Sequence, residues 1–187
     1  MSENARVRMT KHLILDSFVE LTKEKPFNKI TLKEVCEKAE INHSTFYRYY
    51  KDIYDWREQL EETCRQRVKM IAEKSEPGNV RQLMLDQLND FMRDREIYQM
   101  LASPNFNSTI LEEAYSICID RAEETLNPLL KEHSGEGKWK CTFLVCGSCS
   151  VIERWCRDGM IESPEEVVDF LMENILYFLN TDDKERV

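Results

Sequence analysis

The chain has 187 residues, 42% of them hydrophobic, with five Gly, five Pro and a formal net charge of −9 at pH 7. That length buries one sizeable core with room for a small satellite domain, and so few Gly and Pro exclude turn-rich β architecture in favour of helices. No run approaches the eighteen or so apolar residues of a membrane span, the start "MSENARVRMTKHLILD" lacks a signal-peptide apolar core, and seven Cys point to reduced thiols, so a soluble, cytoplasmic protein off the membrane is expected.

Leu13, Ile14, Phe18 and Leu21 form the stripe of a first helix, which "KEKPF" around Pro26 ends. Thr31 with Glu34 is a T-x-x-E capping box opening a short helix through Lys38. Asn42 caps a third helix, "HSTFYRYY", expected to run three turns, and Asp52 caps a fourth that keeps Ile53, Trp56, Leu60, Cys64, Val68 and Ile71 on one stripe to about Lys74. "SEPGN" breaks the chain, and helices follow at about 80–93, 96–102, 108–131, 138–158 and 164–180. The last opens with "SPEE", which supplies an N-cap Ser163, a proline at the first helical position and Glu166 to complete the box.

Charge divides the chain unevenly. Residues 1–57 hold eleven Lys+Arg against nine Asp+Glu, whereas residues 58–187 hold fifteen against twenty-six. From Ile41 to Lys51 there is no acid, and Phe46, Tyr47, Tyr49 and Tyr50 crowd the same stretch. Evenly spread acidity would argue against nucleic acid. A locally basic N-terminal unit on an acidic body argues for it.

Two short helices joined by a tight turn fit helix-turn-helix spacing. The stretch "ITLKEVCEKAEINHSTFYRYYKD" goes further and resembles the DNA-binding domain of the TetR family of bacterial transcriptional regulators, from Thr10 to about Leu60. Val35, Ala39, Ile41 and Phe46 fall at that family's core positions, and Thr45 and Tyr47 at its DNA-facing ones. The segment "FLVCGSCSVIERWCRDGMIESPEEVVDFL" resembles the C-terminal domain of regulators related to dihydroxyacetone-kinase activators, through Gly147, Trp155 and Ser163 to Glu166.

The resemblance implies an all-α homodimer, with a helix-turn-helix domain at 1–55 and a ligand and dimerisation domain at 56–187. It implies a regulator, read as a repressor, that binds a palindromic double-stranded DNA operator and answers to an unknown small-molecule effector. Two departures stand out: Glu40 sits where the family usually has a turn glycine, and Ile53 where it usually has a phosphate-binding lysine. Ile53 leaves room for a partner-dependent coactivator with the same fold.

Among the rings, Phe46, Tyr50 and Trp56 read as core, and Tyr47, with Tyr49 beside it, as phosphate contacts, because a phenol is a neutral donor on a stiff arm. His43, Ser44 and Thr45 are candidates for base edges, Lys33 and Lys51 for phosphate charge. Arg6, Arg8 and Lys11 are further candidates for phosphate contacts, on a basic arm of the kind often disordered. For the dimer, Gly147, Ser148 and Cys149 are small enough for backbones to approach closely, facing Val167, Phe170, Leu171, Ile175 and Phe178.

Cys141, Cys146, Cys149 and Cys156 read C-x4-C-x2-C-x6-C, which resembles an iron–sulfur spacing on a stretch that reads as one helix. At 100° per residue they fall at about 0°, 140°, 80° and 60°, so buried thiols are expected; a redox or metal sensor is the rival. Phe91, Tyr98, Phe106, Tyr115, Trp139, Phe143 and Trp155 line a pocket or fill the core. "GEGK" lacks the spacing of a phosphate-binding loop and no catalytic constellation is present, so neither enzyme activity, cofactor nor metal is expected.

Overall fold

A computed structural model describes residues 3–76, 78–114, 116–117 and 136–180. All regular structure among them is helical: α1 (Glu3–Glu24), a 3-10 turn (Phe27–Lys29), α2 (Leu32–Lys38), α3 (His43–Tyr47), α4 (Ile53–Lys74), α5 (Val80–Arg93), α6 (Arg95–Leu101), α7 (Glu136–Arg157) and α8 (Pro164–Asn180). Helix also resumes at residue 110; the remainder of the expected 108–131 helix lies outside the described residues.

Caps fix most of the boundaries. The Thr31–Glu34 box forms reciprocally, Asp52 accepts from the backbone N–H groups of Tyr54 and Asp55, Asn79 caps α5, and Ser163 with Glu166 opens α8. Helix α3 is shorter than the three turns expected. It ends at Tyr47, and single turns carry the chain into α4, with Tyr50 N–H still donating to the Phe46 carbonyl at 3.1 Å. Arg6, Arg8 and Lys11, expected as a loose arm, lie within α1.

Each helix buries its stripe. Ile14, Phe18 and Leu21 of α1 meet Val35, Phe46 and Trp56, and the Trp56 ring stacks on Phe18 at 3.6 Å. In the second half, α5 packs on α4 and α8, and α7 on α6 and α8. The loop after α6 reaches back into the N-terminal helices. Phe106 lies edge-on to Phe27 at 5.2 Å and to Trp56 at 6.4 Å, Phe27 N–H donates to the Asn105 carbonyl at 2.7 Å, and Asn105 Nδ2 donates to the Thr22 carbonyl at 2.8 Å. The Arg57 guanidinium lies 4.6 Å from the Phe106 ring centroid and donates to the Asn107 carbonyl at 2.8 Å.

The cysteines divide. Cys36, Cys64 and Cys156 are buried, and burial pushes the Cys64 thiol up to about 11 and that of Cys156 to about 12. Cys149 is half-buried, and Cys146 is exposed, contrary to the expectation of a buried set, because it points away from the Cys149–Cys156 side of α7. The Cys141 side chain lies outside the described residues, as do those of Tyr115, Trp139 and Phe178. Of the expected pocket rings, Phe91, Tyr98, Phe106 and Trp155 are buried; Phe143 instead stands 62% exposed.

Candidate nucleic-acid interface

Glu34 anchors the front of the α2–α3 unit. Its carboxylate accepts from Thr31 N–H at 2.9 Å and Thr31 Oγ1 at 2.8 Å and is bonded to Lys25 Nζ. The Lys25 bond, followed by those from Thr31, holds this carboxyl down to about 2. The turn that follows closes with Ile41 N–H donating to the Cys36 carbonyl at 3.0 Å and Glu40 N–H to the Glu37 carbonyl at 3.3 Å, the bond pattern of a Schellman end. That pattern needs a left-handed residue, and Glu40 supplies it at φ 52°, a conformation glycine takes without strain.

Helix α3 is pinned from both sides. Phe46 is fully buried, 5.4 Å from the half-tilted ring of Tyr50. At its start Asn42 Oδ1 accepts from Thr45 N–H at 2.8 Å, Thr45 Oγ1 at 2.8 Å and Ser44 Oγ at 2.6 Å. A carbonyl oxygen has two lone pairs, so three donors overfill it, and one hydroxyl is free to turn outward. His43, Ser44, Tyr47 and Arg48 are exposed on the outer face, Tyr47 at 57%, while Thr45 is half-buried.

The other expected contacts are placed less uniformly. Lys33 is exposed and 3.7 Å from Glu37, a pair open enough to exchange for a phosphate. Lys51 is exposed and makes no ion pair among the described residues, though its charge helps lower the Asp55 carboxyl. Tyr49 is half-buried and turned toward α1, where Lys11 Nζ lies 6.0 Å from its ring centroid. The acids that follow are spent on the backbone: Asp52 caps α4, and Asp55 accepts from Lys51 N–H at 2.7 Å, which holds its carboxyl below the usual range. Ile53, at the position of the missing lysine, is buried.

Sequence reasoning left out Arg48. It sits at the C-cap of α3, exposed and without a carboxylate partner among the described residues, in the same acid-free run that singled out Tyr47 and Lys51. The acid-free run itself was the signal.

On the other side of the molecule, α7 and α8 leave an apolar face uncovered. Phe143, Phe170, Leu176 and Tyr177 are all more than half exposed, and a side chain added at Gly147 would meet no atom within 4 Å. Cys149 is half-buried and packs against the chain's own core, which also encloses Leu171 at 3% exposure.

A TetR-type family model, described as a transcriptional regulator C-terminal region, matches residues 78–177. No curated protein sequence matches. Among solved structures, the chain is similar to "Dihydroxyacetone kinase operon activator DhaS" at TM-score 0.60 and 15% identity, covering 92% of this chain and 97% of that one. It is also similar to a TetR transcriptional regulator from Streptococcus agalactiae 2603V at TM-score 0.55 and 18% identity, with the same coverage of 92% and 97%. With the all-helical fold and the match over more than half of its length, the chain belongs to the TetR family of transcriptional regulators, DNA-binding proteins rather than enzymes.

Proposed function

We propose that the chain is a ligand-responsive repressor that binds a palindromic operator as a homodimer, its helix-turn-helix domain reaching to about residue 55. The observation that carries this reading is the outer face of α3 and its flank, where His43, Ser44, Tyr47, Arg48 and Lys51 are exposed with no acid among them. Tyr47, Arg48, Lys51 and, once released from Glu37, Lys33 supply phosphate contacts. His43, Ser44 and Thr45 face base edges in the major groove, where the four base pairs are distinguishable. Two copies of α3 then read half-sites about one helical turn, roughly 34 to 36 Å, apart.

The exposed face of α7 and α8 is the dimer surface in this reading, with Phe170 and Gly147 at the contact, Cys149 beside them and Leu171 as packing beneath. Phe170→Asp should give monomers or aggregates by light scattering; an unchanged dimer would place the interface elsewhere. The effector belongs to the α4–α6 region. There Gln87 Oε1 is the fully buried side-chain polar atom without a hydrogen-bond partner among the described residues, while its Nε2 donates to the Val68 carbonyl at 3.1 Å. An unpaired buried acceptor costs about 1 to 3 kcal/mol, which a donor on a bound ligand would offset.

Binding to randomised operators tests the DNA roles. Tyr47→Phe should weaken specific and random DNA alike, whereas His43→Ala should blur preference at one or two base pairs per half-site, each worth about 1 to 3 kcal/mol. The reverse pattern would overturn the assignment. A second reading, a coactivator recruited by a protein partner, draws on buried Ile53 in place of the family's lysine and on the likeness to an operon activator. It requires that the purified protein alone show no sequence preference in a gel shift. Of the cysteines a redox sensor would use, burial pushes Cys156 away from the reactive thiolate while Cys146 is exposed, and DNA binding by the purified protein that is indifferent to oxidant would remove that reading.

A further inference from the structure

Helices α1 and α4 do not close completely against each other. Between them lies a cleft of about 340 Å³, with Arg8, Lys11 and Leu15 on the α1 side, Trp56 and Leu60 on the α4 side, and Tyr50 between them. On α1 the spacing is i, i+3, i+7, so the two cations and the leucine share one face. Neither Arg8 nor Lys11 has a carboxylate partner among the described residues, and Lys11 Nζ lies 5.6 Å from the Tyr50 ring centroid.

The inner surface carries unspent donors. Tyr50 and Trp56 are only 7% and 3% exposed, yet neither the phenol O–H nor the indole N–H has a hydrogen-bond partner among the described residues. Gln87 Oε1 is the one fully enclosed, partnerless side-chain polar atom among the described residues, so both of these donors are reached from outside, and both residues line the cleft. Burial pushes the Tyr50 phenol up to about 12, which keeps it a donor at every ordinary pH. Two acids border the cleft and are paired with its lining: Asp16 lies 3.8 Å from His12 Nε2, and Asp55 accepts from Gln59 Nε2 as well as from Lys51 N–H, its charge adding to the rise of the Tyr50 phenol.

Cations at the rim, neutral donors inside and apolar walls select a ligand with acceptor oxygens, negative charge and a flat apolar body. The geometry points to a binding site for a small aromatic carboxylate in this cleft, its carboxylate held by Arg8 and Lys11 with the Tyr50 and Trp56 donors, and its ring between Leu15 and Leu60. A duplex phosphate satisfies the cations but offers nothing to the apolar walls. The site stands on these contacts alone and not on the operator reading above.

1-Naphthoate is the probe, titrated into the full-length protein by isothermal calorimetry without DNA. Saturable binding is expected, at least tenfold weaker in the Arg8→Gln/Lys11→Gln variant and at least tenfold weaker for the uncharged 1-naphthylmethanol on the unaltered protein. Arg8 and Lys11 are exposed, so the double variant keeps its fold, and the alcohol comparison needs no variant. Absence of saturable binding, equal affinity in the double variant, or displacement of the naphthoate by an equal concentration of inorganic phosphate would each overturn the site, the last by reducing it to a plain phosphate patch.

Discussion

The arginines of the two ends of this molecule live differently. In the body, every described arginine from Arg65 onward is held: Arg65 by Glu62 and Glu113, Arg67 by Asp90 and Asp94, Arg81 by Asp169, Arg93 by Asp90, Arg95 by the Gly159 carbonyl, Arg154 by Asp158 and Arg157 by Glu153. Toward the other end Arg6, Arg8 and Arg48 have no carboxylate partner among the described residues. An acidic chain thus presents positive charge to a polyanion from a short N-terminal unit that is denser in bases than the body and that keeps acids out of the stretch from Ile41 to Lys51.

The largest expected effect comes from breaking a held arginine. Asp90 is 5% exposed and accepts from Arg67 NH2 at 2.6 Å and Tyr98 O–H at 3.1 Å. Arg67→Ala leaves that buried carboxylate with only the Tyr98 O–H and the more exposed Arg93 at 3.6 Å, and urea unfolding should show a loss of about 3 kcal/mol. Lys51→Ala breaks the other side of the comparison. It should leave the unfolding curve unchanged while lowering the slope of log affinity against log salt by about 0.9 for each chain bound. An unfolding loss there, or an unchanged slope, would mean that Lys51 is structural.

Glu34 is the N-terminal exception, an acid that is firmly paired. Its folded carboxyl lies at about 2, below the ordinary 4.5, so the stabilisation it gives is complete above pH 4.5 and drains away as pH falls toward 2. The gap in urea midpoint between the unaltered protein and Glu34→Gln should close over that window and stay constant at higher pH. Smallest is Glu40→Gly, which relieves the left-handed strain but adds unfolded-state entropy. A gain of about 1 kcal/mol at most is expected in a thermal melt, and a loss would contradict the role given to φ at this turn.

Local chemistry made the helix ends legible from the chain alone. Thr31, Asn42, Asp52 and Ser163 cap where their side chains demand, and the helices at 53–74, 80–93 and 164–180 fall on the expected residues. What the sequence did not disclose depends on distant neighbours. Periodicity carried α3 on for three turns, but the Asp52 cap starts a new helix direction and cuts it to five residues. The sequence favoured Tyr47 as a phosphate contact and left Tyr49 balanced between contact and packing, and only distant neighbours, the core and Lys11 of α1, show the second ring to be covered. The cleft between α1 and α4 was hidden for the same reason, since its cations and rings come from two helices with two others between them in sequence.

Phe106 sets an order of assembly. The aromatic stack of Phe18, Phe27 and Trp56 is covered on one side by a ring that enters the chain only after α6, and the Phe27 N–H finds its acceptor in that same late loop. As the protein emerges from the ribosome, the helices that carry the residues proposed to face DNA are complete in sequence but still have an open hydrophobic flank. That flank closes once Asn105 and Phe106 have been made, so the N-terminal helices reach their final packing as part of a larger unit rather than ahead of it.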